Sequence, residues 1–261
     1  MTRRLSSPAL LAVLLISAIS AVRTEAAPGD LDTSFGIMGQ VEDTTMETIQ
    51  ATLVQPDGKI VVVGSKLTNP TPSTTVIAPA IARYNTDGSL DYGFGTAGWV
   101  IADNATTYGS LYSVVIQSDG KIVAVGYNSP SALVVRLNSD GTHDTTFSGD
   151  GKLKFNFPGA NHVVSFLSSV ALIPNSDKIL VAGNVEYTYV QNQDSDDTGL
   201  ARINANGTFD TTFGSLGKKI VDTQESQVSA MAIHPTNKKI ALSLTIFVSD
   251  FYVIMLNEDG T

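Results

Sequence analysis

An all-β chain built from four repeats of about 60 residues is predicted by three observations. The motif LDTSFGIMGQV at Leu31–Val41 returns in near-copy as LDYGFGTAGWV, HDTTFSGDGKL and FDTTFGSLGKKI. A second segment, ATLVQPDGKIVVVG at Ala51–Gly64, returns as SVVIQSDGKIVAVG, SVALIPNSDKILVAG and SAMAIHPTNKKIALSL. The two registers travel together: Lys59, Lys121, Lys178 and Lys239 are 62, 57 and 61 residues apart, and Asp32, Asp91, Asp144 and Asp210 are 59, 53 and 66 apart. Units of this length with paired hairpin signals and no helical period call for antiparallel blades, each unable to bury both faces alone. That selects a β-propeller over a β-solenoid, whose parallel rungs usually repeat at shorter periods.

The elements follow in order. Arg3 and Arg4 precede the short apolar run Pro8–Val22. This is the pattern of an export signal, too short to span a bilayer comfortably, with cleavage expected after Ala26. Residues 27–261 then form one domain, with units at about 42–100, 101–153, 154–220 and 221–261. Each unit opens with two β-branched-rich runs. The turns PDGK and SDGK join them and place Asp-Gly where positive φ is needed. The third and fourth turns carry one more residue. A variable loop leads to a third strand, AIARYN, LVVRLN, GLARIN or YVIMLN, closed by TDGS, SDGT, ANGT or EDGT. The Phe-[Gly/Ser]-x-x-Gly motif then bends the chain into a short fourth strand. The last copy stops at NEDGT and Leu31–Val41 has no unit before it, so the sequence predicts a ring closed by Leu31–Val41 beside Tyr252–Asn257. A fragment of a larger propeller would show the same complementary ends.

LDTSFG, QPDGKIVVVG and ARYNTDGSLD together resemble the bacterial delta-60 repeat family, extracellular or cell-surface arrays thought to build propellers. The resemblance covers residues 27–261, apart from departures in the last two turns and at Met255. It implies the fold and a location outside the cytoplasm, but no activity and no catalytic residues.

Composition narrows the partners. The chain has 16 basic and 25 acidic residues, net −9, and removing residues 1–26 takes away three arginines and one glutamate to leave −11. This disfavours nucleic acid and anionic membranes. With no cysteine, thiolate catalysis, zinc–thiolate sites and a lipidated cysteine anchor drop out. A secreted, extracellular or periplasmic monomer is expected, with no membrane insertion once the signal is removed.

Arg83, Arg136 and Arg202 each stand eight residues before a motif aspartate, which predicts an Arg–Asp ion pair in each of three units, structural rather than ligand-binding. Asp194, Asp196, Thr198 and Gly199 carry the spacing that opens an EF-hand loop, so Asp194, Asp196 and Thr198 are candidate calcium ligands. The twelfth position is Ala205, which argues for a solvated acidic loop instead. His143, His162 and His234 do not recur between units, and no nucleophile elbow, Walker loop or H-E-x-x-H is present. The expectation is a secreted, non-catalytic scaffold for binding or display. Its partner, a protein or carbohydrate, would be held by the loops Ser65–Pro79 and Glu186–Asp197 through Tyr187, Tyr189, Asp194, Asp196 and Asp197. The alternative is a propeller enzyme, a hydrolase or lyase with polar residues gathered at one channel mouth.

Overall fold

The computed structural model describes residues 29–71, 74–104, 108–158, 162–187, 196–223, 226–246 and 250–261. The expected export signal, Tyr189 and Asp194 lie outside them. Among the described residues there are fifteen strands and no helix. Sheet one holds β1 (Met46–Val54), β2 (Ile60–Thr71), β3 (Thr74–Tyr84) and β4 (Trp99–Ile101). Sheet two holds β5 (Gly109–Ile116), β6 (Ile122–Asn128), β7 (Ser131–Leu137) and β8 (Lys152–Phe155). Sheet three holds β9 (His162–Leu172), β10 (Ile179–Tyr187), β11 (Asp197–Ile203) and β12 (Lys218–Val221), and sheet four holds β13 (Ser226–Ile233), β14 (Ile240–Ile246) and β15 (Phe251–Leu256). Strand order in every sheet follows chain order and all pairings are antiparallel. Three of the four units are thus four-stranded, and the fourth has three strands.

The first strands β1, β5, β9 and β13 adjoin one another in succession, so they line the inner side. The middle strands are sandwiched between neighbouring sheets. For that reason β6 and β7 read as near-continuous apolar runs rather than alternating ones, with almost every residue buried. The core is divided among the joints. Val61, Val63, Ile81 and Phe94 of unit one pack on Leu111, Ile122, Leu133 and Leu137 of unit two. Val123, Val125 and Phe147 meet Leu167, Val181 and Ile203, and Leu180, Leu200 and Phe213 meet Val228, Ile240 and Leu242. The motif phenylalanines Phe94, Phe147 and Phe213 are fully buried, which explains why the motif keeps that residue.

Backbone hydrogen bonds repeat at the joints. The N–H after each motif phenylalanine donates to the third-strand turn of the next unit: Gly95 to Asp140 O, Ser148 to Asn206 O and Gly214 to Asp259 O, at 2.8, 2.9 and 2.8 Å. Gly36 N donates to Asp87 O at 2.8 Å in the same way. Leu31–Val41 therefore docks on sheet one, the unit that follows it, and Tyr84 Oη donates to Asp43 Oδ2 at 2.7 Å just beyond.

This corrects the expected ring. Among the described residues β15 pairs with β14 alone, and the four sheets do not close on Leu31–Val41. The physical reason lies in the joint. The motif's backbone donor is directed to the turn ahead of it in the chain, and Asp87 supplies that turn whether or not a third strand lies behind.

Candidate functional site

Each sheet has two ends of different character. The tight turns Gln55–Lys59, Gln117–Lys121, Ile173–Lys178 and His234–Lys239 fall at one end, together with the third-strand turns and the motifs. Because the joints link turn end to turn end, the sheets stack in one sense. The connections that vary between repeats, after the second and fourth strands, share the opposite end.

At the turn end the Arg–Asp pairs form as expected. Arg83 Nε donates to Asp91 at 2.7 Å, Arg136 to Asp144 at 2.8 Å and Arg202 to Asp210 at 2.7 Å, all buried. The sequence did not disclose the rest of the cluster. Nη1 of each arginine reaches a carbonyl of the next unit's turn, Ser139, Ala205 or Glu258. Each guanidinium also lies 4.4 to 5.0 Å from the centroid of the motif phenylalanine ring. Lys59 and Lys178 add a second cation to Asp91 and Asp210. Burial works against the Asp210 carboxylate, but bonds from Lys178, Thr212 and Arg202 outweigh it and hold its pKa well below the ordinary 3.8. Asp32, which has no arginine behind it, is exposed and bonds Ser34 N and Oγ. Nε and Nη1 of each arginine are spent on the protein, the second across the joint, so this end is a set of clasps between sheets.

The variable end carries free surface. Tyr112 of β5 and Tyr108, just before it, both stack with Tyr127 of β6, with centroids 6.0 and 6.4 Å away, and Phe166 of sheet three meets Tyr127 edge-on at 5.2 Å. Tyr127 is buried while Tyr108 is 52% exposed, so the stack runs from the core to solvent. Burial, the neighbouring tyrosines and Glu186 all push the Tyr127 hydroxyl's pKa well above its ordinary 10. Between sheets one and two, buried Asp103 receives Lys154 at 2.9 Å, Lys152 at 3.2 Å and Asn128 at 2.7 Å. Those bonds overcome the burial penalty and lower its pKa. Asp103 and Lys152 have counterparts in Asp222 and Lys218 of the third unit, but the tyrosines have none, so comparison of the repeats passes over the stack.

The residues singled out by sequence separate here. The strands of sheet one extend to Thr71 and from Thr74, so most of Ser65–Pro79 is a hairpin arm rather than a loop. Tyr187 ends β10 opposite His162 at the start of β9, and Asp197 opens β11 opposite Val185. Asp196 precedes it, half-buried. Their backbones share the variable end of sheet three with Glu186. Thr198 and Gly199 are regular strand residues: the Thr198 hydroxyl shares a 3.2 Å hydrogen bond with that of Thr223, and a Cβ on Gly199 would strike the Phe157 ring. Gly199 is thus a packing glycine rather than the sharp turn of a calcium loop. His143 contacts Ala102 O at 3.0 Å in a cleft of about 690 Å³ with Lys66 and Trp99, and His234 accepts from Thr236 N and Asn237 N at the turn end. The three histidines occupy three separate places.

Stacked antiparallel four-stranded units, an inner layer of first strands and joints that repeat in one sense define a β-propeller-like repeat protein. A family model described as a domain of unknown function (DUF5122) beta-propeller matches residues 55–94, 117–147 and 175–213, the turns, third strands and motifs of the first three units. No curated protein matches the chain. Among solved structures, a protein of unknown function from Dyadobacter fermentans is similar at 12% identity and a TM-score of 0.40, over 78% of this chain and 51% of its own, so the chain spans about half its length. An exo-1,5-alpha-L-arabinanase from a bovine ruminal metagenomic library is similar at 10% identity and a TM-score of 0.36, over 79% and 74%. A mannose phosphorylase from Leishmania mexicana is similar at 9% identity and a TM-score of 0.39, over 80% and 82%.

Proposed function

We propose that the chain is an exported, non-catalytic propeller scaffold, of the delta-60 type, that binds a protein or carbohydrate through its variable end. The observation that carries this reading is the Tyr108–Tyr112–Tyr127 stack, half open to solvent near Glu186, on the end where the connections differ between repeats. Aromatic faces backed by a rigid sheet offer contact area at little conformational cost, with Glu186, Asp196 and Asp197 as polar partners at the rim. The turn end, where the arginines are consumed in clasps, leaves no comparable set.

The test is a glycan and protein binding screen on the exported chain, repeated with Tyr108→Ala and with residues 188–195 replaced by a short Gly-Ser linker. Tyr108→Ala should weaken the hit about tenfold, the equivalent of roughly 1.4 kcal/mol for one stacking ring. Adding calcium to the same titrations asks whether Asp194 and Asp196 hold the ion. Binding unchanged by both substitutions would move the site elsewhere. Turnover of a substrate that disappears with His162→Ala would replace the scaffold by an enzyme.

A further inference from the structure

We propose that the chain associates head to tail with a second copy, the Leu31–Val41 motif of each copy adding a fourth strand to the β13–β15 sheet of the other. This goes beyond the binding function and uses neither its residues nor its end of the molecule.

β15 carries the evidence on one side. Its sequence, FYVIML, is as apolar as β7 and β11, yet those are buried almost throughout while Phe251, Val253 and Met255 are 77, 66 and 59% exposed. Its outer edge also leaves a row of backbone donors and acceptors open to another strand. On the other side, Leu31–Val41 has made only the forward half of the repeated joint, through Gly36 N and Asp87 O. The backward half, where each other motif meets its own third strand, is open: Leu31 is 54% and Val41 38% exposed, whereas Val100, in the place of Val41, is buried, and the Asp32 carboxylate is bonded within the motif to Ser34.

The two surfaces fit in register and in charge. In each complete sheet the residue two before the arginine pairs with the residue nine after the motif aspartate: Ile81 with Val100, Val134 with Leu153, and Leu200 with Lys219. With Met255 in the arginine place and Asp32 as the aspartate, the same rule pairs Val253 with Val41, apolar against apolar. Lys59 and Lys178 reach the motif aspartates of their own units, and Lys239 holds that place in unit four. Among the described residues no carboxylate pairs with Lys239, and Asp32 of a second copy would arrive opposite it. Two copies joined twice in this manner make a two-fold ring of eight sheets, within the four to eight blades that propellers use.

The full chain, exported and purified, is measured by size-exclusion chromatography with light scattering and should have twice the chain mass. Val41→Cys and Val253→Cys chains, mixed and oxidised, should give a cross-linked pair, readable because the native sequence has no cysteine. Asp32→Lys should raise the dimer dissociation constant about tenfold and Lys239→Asp added to it should restore the dimer, with melting and circular dichroism showing each variant folded. A monomeric native chain, a dimer without the Val41–Val253 cross-link, or a dissociation constant unmoved by Asp32→Lys would each overturn the proposal. So would a cross-link confined to one chain when both cysteines are placed together.

Discussion

Arg136 holds four partners at once: the Asp144 carboxylate, the Thr146 hydroxyl, the Ala205 carbonyl of the next unit and the face of Phe147. Replacing it by alanine removes the charge and the stem together and leaves a buried carboxylate uncompensated, a loss of about 3–5 kcal/mol. Methionine, which the fourth unit already carries as Met255, retains packing over Phe147 and should cost roughly 1 kcal/mol less. Chemical denaturation of the two variants checks the order, and equal stability would contradict it. The same pair sets an acid limb. Burial raises the Asp144 pKa, but Thr146 and Arg136 lower it further, so the folded-state value lies below the ordinary 3.8. A carboxylate lowered on folding stabilises fully above its unfolded pKa and loses that contribution as the pH falls through the folded value. The acid limb below about pH 4 should therefore be shallower in both Arg136 variants than in the native chain. The ion pair was legible because arginine and aspartate recur at fixed spacing. The bond to Ala205 was not, because Ala205 enters through its backbone and any residue supplies a carbonyl.

At the scale of the strand, one glycine in each of the first three second strands is set by its neighbour. Gly64, Gly126 and Gly183 face the point where the first strand bulges, and a Cβ on them would lie 2.0, 2.0 and 1.9 Å from the carbonyl oxygens of Thr48, Ser110 and Phe166. Sheet four bulges too, between Val228 and Ala230, but there Leu244 pairs with Val228 and buries its side chain in the core. The repeated glycine was visible in the sequence; its cause was not, since a bulge leaves no residue signature of its own. Gly183→Ala should lower stability by more than 2 kcal/mol, on the order of an overpacked core site, whereas Gly149→Ala, with nothing within 4 Å of its Cβ and only a positive φ to resist it, should cost about 1 kcal/mol. Thermal melts of the two variants supply the comparison. The strands, hairpins and motif turns were legible because their periodicity and Gly turns recur. The tyrosine stack was not: Tyr127 takes the place held by Ser65 in unit one and Asn184 in unit three, so the repeat pattern offers no precedent for it.

At the scale of the molecule, the fold class was legible in full and the closure was not. Repeats show which surfaces match but not whether the curvature of four sheets brings the matching ends together. What results is a stack in which each sheet's core is shared with its immediate neighbours, so stability should be local in the manner of a linear array. Phe213 tests this. It is fully buried at the joint of sheets three and four, Arg202 lies over its ring at 5.0 Å, and a Cβ on Gly260 of the next turn would come 2.9 Å from it. Phe213→Ala should cost about 3–5 kcal/mol at that joint. Sheet four has only one neighbour through which to recover the loss, while sheet two is held on both sides by cores that the substitution does not touch. In native-state hydrogen exchange, read on samples that light scattering shows to be monomeric, β14 and β15 amides should exchange more than 100-fold faster, roughly the equivalent of 3 kcal/mol. Those of β6 and β7 should keep their rates. Uniform acceleration across all four sheets would mean that the array unfolds as one unit and that the joints are coupled over the whole molecule.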